Sequence, residues 1–129
     1  MDNILIISLI IAFIFVCVSI FQITLALGFP FGEAALGGFH KVLPKPLRVV
    51  SAVNAIILLF MAMVFLVHAD VMANPFSLPI HTLLWVITMF LVLNTVANAF
   101  SQSKKEKYIM TPLTLVLFTL CLSVVLMSG

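Results

Sequence analysis

The side chains in this sequence whose spacing suits them to chemistry are chiefly amides and hydroxyls inside apolar runs. Asn94 and Asn98 stand four residues apart, a spacing that puts both on one face of a helix. Arg48, Ser51 and Asn54 follow at steps of three, and Gln22 and Thr24 lie near the end of an earlier apolar run. Amides and hydroxyls exchange hydrogen bonds without moving protons near neutral pH, so this set points to binding or to bonds between helices. Glu33 and His40 form the one acid/base pair within reach of such a set, and both belong to a Gly-containing loop. That placement argues against an enzyme.

Other chemistries fail on spacing. His68, Asp70 and His81 share a loop, yet match no zinc pattern, so no metal is expected. Nucleophile elbows, phosphate loops and dinucleotide fingerprints are absent, and with them any expected cofactor. Cys17 and Cys121 both fall inside apolar runs, where a free thiol behaves as a small hydrophobe.

The elements that must position these residues follow from composition. Of 129 residues, 64% are apolar and 8% charged, with a mean hydropathy of +1.36, whereas soluble domains carry roughly a quarter charged residues. The chain is expected to be a membrane protein, and so sparse a charge excludes a nucleic-acid surface. Four apolar stretches, about residues 4–27, 47–67, 79–100 and 108–127, each approach the ~20 residues that a spanning helix needs. The expected fold is all-α, a four-helix transmembrane bundle forming one domain over 1–129. Pro44 and Pro46, Pro79, and Pro112 mark the starts of the later spans, where proline is tolerated. A signal peptide fits the first stretch poorly, because Asp2 precedes it and no Lys or Arg does.

Lys41, Lys45 and Arg48 sit in or at the end of the first loop, and Lys104, Lys105 and Lys107 in the third. With four spans both loops share one face. The positive-inside rule makes that face cytoplasmic and puts both termini outside. Measured from that face, the polar residues gather at one depth. Gln22 and Thr24 end the first span, Ser51 and Asn54 begin the second, Asn94, Thr95 and Asn98 end the third, and Thr111 and Thr114 begin the fourth. The opposite half is nearly pure hydrocarbon. The layer reads as interhelical bonding or as a binding pocket reached from the cytoplasm, and its clustering favours the pocket.

The first loop, residues 28–48, is too apolar for a free loop and too rich in glycine to span. An interfacial or re-entrant segment is expected, with a short helix near Gly32 to Leu36 broken at Gly37 and Gly38. Glu33 and Arg48 are the acidic and basic groups expected to approach the polar layer, paired with each other or touching a ligand. The candidate ligand-binding residues are thus Gln22, Glu33, His40, Arg48, Ser51, Asn54, Asn94 and Asn98.

Gly28, Pro30, Phe31 and Gly32, then Gly37 and Gly38, Leu43 and Pro44, Arg48 and Ser51, Asn94 and Asn98, and Pro112 carry a further signal. This pattern, spread over nearly the whole chain, resembles a widespread, uncharacterised family of small four-span bacterial integral membrane proteins. The sequence departs from it at Phe31, where many relatives have Trp, and at Phe39, where a basic residue is frequent. The resemblance implies architecture and draws attention to the first loop, but implies no activity.

The expectation is a protein that binds a small molecule, ion or lipid headgroup in a cytoplasmic-side polar pocket, with the lipid bilayer as its constant partner. The alternatives are an accessory subunit of a larger membrane-protein complex and a small homo-oligomeric channel or transporter. No acidic residue lies in a span, which argues against a proton-coupled exporter. One-sided charge argues against a fluoride channel built from opposed subunits.

Overall fold

The structure, a computed structural model, describes residues 3–30, 42–69, 73, 77, 79–100, 104 and 106–128. The expected short helix at Gly32 to Leu36, and with it the interfacial or re-entrant path of the first loop, lies outside these residues. The protein is an all-α four-helix bundle: α1 Asn3–Ala26, α2 Lys45–His68, α3 Ile80–Ala99 and α4 Thr111–Ser128, the last continuing a π-helical turn at Glu106–Met110. Each of the four helical segments is long and apolar enough to cross a membrane, the hallmark of a multi-pass membrane protein. Large apolar side chains are exposed on the outer surface, among them Phe13, Ile56 and Leu93, as expected where lipid replaces water as the solvent.

Late residues of α1 and α3 meet early residues of α2 and α4, so the helices alternate in direction. One end of the bundle carries Lys45, Arg48, Lys104 and Lys107 and is called here the basic end. Tyr108 lies exposed at this end, with the Lys107 ammonium 5.9 Å from its ring centre.

The helix ends have identifiable causes. α1 terminates in a Schellman turn: Phe29 N–H donates to the Thr24 carbonyl and Gly28 N–H to the Leu25 carbonyl, each at 3.1 Å. Gly28 adopts φ +95°, which L side chains rarely do, so glycine is required there. Pro46 lies in the first turn of α2, where its missing N–H costs nothing. Pro112 has helix on both sides. It removes the N–H that would bond the Tyr108 carbonyl, and the turn before it widens to π geometry.

Packing differs between the two halves of the bundle. Away from the basic end, Ile11 and Phe15, Met61 and Phe65, Leu84 and Ile87, and Cys121 and Val124 close into a dry core drawn from all four helices. The rings of Phe15 and Phe65 lie 6.1 Å apart at 46°. α1 and α2 approach closely because small residues face each other: Ser8, Ala12 and Ser19 on α1, and Ser51, Ala55 and Ala62 on α2, are all buried. Toward the basic end this seam becomes polar. Ser19 donates to the Ala55 carbonyl at 2.9 Å, and Ser51 donates to the Gln22 carbonyl and to Gln22 Oε1 at 2.6 and 2.7 Å.

Candidate functional site

At the basic end the four helices part around a cavity of about 160 Å³. Its floor is the top of the dry core, made by Phe15, Met61, Leu91 and Leu117. Gln22, Asn54, Asn94, Asn98 and Thr114 supply its polar wall, nearer the basic end. An α-helix rises 1.5 Å per residue, so the Gln22 position lies about 10 Å beyond Phe15 along α1. The cavity thus runs from hydrocarbon at its floor to amides at its mouth.

The polar groups differ in how they are satisfied. The Thr114 hydroxyl bonds back to the Met110 and Thr111 carbonyls, at 2.9 and 3.1 Å. Gln22 Oε1 accepts from Ser51, which sets the amide's orientation and leaves its NH₂ as the group with unused capacity. Among the described residues, the side-chain amides of Asn54, Asn94 and Asn98 make no hydrogen bond to protein, and none is sealed from the cavity. All three residues are half-buried, so amides that find no protein partner here are open to the cavity and fit a site that water or a ligand enters.

The eight sequence candidates separate accordingly. Gln22, Asn54, Asn94 and Asn98 converge on the cavity. Ser51 stands behind Gln22 and joins α1 to α2. Arg48 is turned elsewhere: its Nε donates to the Leu43 carbonyl at 2.9 Å, and its Nη2 lies 2.9 Å from where a Cβ at Gly28 would be. The guanidinium therefore clamps the chain before α2 onto the turn that ends α1. Glu33 and His40 lie outside the described residues. No three His, Cys, Asp or Glu side chains among the described residues come close enough to hold a metal ion.

Ser19 had escaped the sequence reading, although Ser8 to Ala12 and Ser51 to Ala55 carry the small-residue spacing of closely packed membrane helices. The apolar floor had escaped it too, because nothing in an apolar run separates residues that line a void from those that fill a core. No protein-family model, curated protein or solved structure matches the chain.

Proposed function

We propose that the protein is a non-enzymatic, multi-pass protein of a bacterial cytoplasmic membrane, binding a small uncharged hydrogen-bonding group in the amide cavity. One observation carries this reading: the amides of Asn54, Asn94 and Asn98 reach the same cavity from two helices without a protein partner. The volume supports it. A cavity of about 150 Å³ in a soluble protein core holds a benzene molecule, so the site suits a group of about six heavy atoms. Among the described residues no charged side chain lines the cavity, which disfavours an ionic guest: a bare charge there would lose its hydration without gaining a counter-charge from them. The six Lys and Arg residues support an orientation with the basic end in the cytoplasm and both termini outside. The resemblance of the Gly28 to Ser51 pattern to small bacterial membrane proteins supports the assignment to bacteria.

The test is thermal unfolding of the purified chain in lipid nanodiscs with glycerol, acetamide, urea and monoacylglycerol as probes. At least one probe is expected to raise Tm in the native chain and to lose that effect in the Asn94→Leu, Asn98→Leu double variant. An inserted, folded double variant with an undiminished rise would remove the amides from the site. A double variant that cannot fold would make them structural.

A further inference from the structure

A second depression, of about 430 Å³, opens on the outside of the bundle between α1 and α4. Phe13, Cys17 and Phe21 form its α1 side and Ile109, Met110 and Leu113 its other side. Val18, Met110 and Leu113 belong to both this groove and the amide cavity, and among the described residues these apolar side chains form the partition between them. The groove covers the basic half of α1 and extends about 12 Å along it from Phe13 to Phe21, at 1.5 Å per residue.

We propose that cavity and groove are the two ends of one site for a single-chain neutral lipid, its uncharged head among the amides and its hydrocarbon tail between α1 and α4. The proposal rests on the cavity reading and adds the class of ligand and its route, sideways from the bilayer. Three observations favour this occupant. The groove is apolar and faces where lipid lies, whereas the polar wall stands just behind its partition. Groove and cavity lie side by side at overlapping depth, Phe13 to Phe21 against Phe15 to Gln22 along α1, so a tail in the groove and a head among the amides are separated only by a sideways step across the partition. Among the described residues neither compartment is lined by an ionic side chain, so a phosphate or carboxylate head would gain nothing from them by leaving the interface, where the lysines are.

Monolauroylglycerol is the probe, added to the full chain in phosphatidylcholine nanodiscs, with glycerol and laurate as the head-only and charged-head controls. The expected result is a Tm rise of several degrees with monolauroylglycerol and none with either control. Cys17→Phe, which fills the groove, should abolish the rise, and Cys17→Ala should retain it. If Cys17→Phe does not fold, alkylating Cys17 of the folded native chain with a lipophilic maleimide occludes the same place; Cys121 is buried and stays out of reach. No rise with monolauroylglycerol, or a rise that survives both ways of filling the groove, overturns the lipid proposal. An equal rise with glycerol alone also overturns it while leaving the cavity reading intact. A rise that persists in the Asn94→Leu, Asn98→Leu variant but disappears with Cys17→Phe overturns the cavity reading and puts the head elsewhere.

Discussion

Replacing both Asn94 and Asn98 by leucine should leave the bundle standing, whereas removing the single hydroxyl of Ser51 should weaken it. The asparagine amides have no protein hydrogen bond to lose, and leucine has the same number of side-chain heavy atoms, a larger volume that the cavity beside it can take, and better solubility in hydrocarbon. The expected change for the double variant is therefore within about 0.5 kcal/mol of zero, since half-buried amides open to the cavity give up no protein hydrogen bond. Ser51 is fully buried, and its proton is shared between two oxygens of Gln22 at 2.6 and 2.7 Å. Interhelical hydrogen bonds in membranes average about 0.6 kcal/mol and reach about 1.7, and Ser51→Ala also strands Gln22 Oε1, so a loss of about 1–2 kcal/mol is expected. Ser19→Ala, which breaks one bond to the Ala55 carbonyl, should cost nearer the average of about 0.6 kcal/mol. Reversible unfolding by dodecyl sulfate titration in mixed micelles measures all three on one scale. The reasoning is refuted if the order inverts, with the double asparagine variant losing more than about 1 kcal/mol while Ser51→Ala is neutral. The amides would then be holding helices together.

Gly28→Ala should destabilise by at least about 1–2 kcal/mol, from a left-handed conformation and a Cβ 2.9 Å from Arg48 Nη2. Adding Arg48→Ala should recover the part due to crowding and none due to φ, and the same titration separates the two. Ser8→Ala should stabilise by about 1 kcal/mol, because the Ser8 hydroxyl is buried without a partner, and a decrease would reveal a bond to it. In a background with both native cysteines replaced, Ala73→Cys should react with an impermeant maleimide on intact cells and Lys104→Cys only after lysis; the opposite pattern would invert the orientation.

The legibility of these features in the sequence depended on how many physical constraints each one met. Long apolar runs had one architecture open to them, because backbone groups in lipid must bond within their own segment. The ends were less determined: α2 begins at Lys45, ahead of the apolar run at Leu47, since Lys and Pro both suit a first turn outside the hydrocarbon. The pair Asn94 and Asn98 was readable because four residues turn a helix by roughly 40° past a full turn, so both meet the same neighbours. Three residues fall roughly 60° short, and two such steps carry Arg48, Ser51 and Asn54 to three different surroundings. Arg48 meets Leu43 and Gly28, Ser51 meets Gln22, and Asn54 meets the cavity. Choosing between bonding and binding was beyond the pattern, because it depends on whether a serine or an asparagine faces the neighbouring helix.

The division of labour along the helices explains how so small a bundle tolerates a hole in it. Lipid is as apolar as leucine, so the helices are held by close packing and a few hydrogen bonds, with little hydrophobic drive between them. Here those contacts are concentrated in the dry half and along the α1–α2 seam. An empty cavity of 160 Å³ would cost about 4 kcal/mol at the roughly 24 cal/mol per Å³ found for soluble cores, a large share of any small domain's stability. That cost falls only if the space is filled, and a filler must satisfy amides at one end and hydrocarbon at the other. Water meets the first requirement and a lipid tail the second. A neutral single-chain lipid meets both, which is why the partition of Val18, Met110 and Leu113 between amide cavity and groove is the place where substitution should most sharply separate stability from binding.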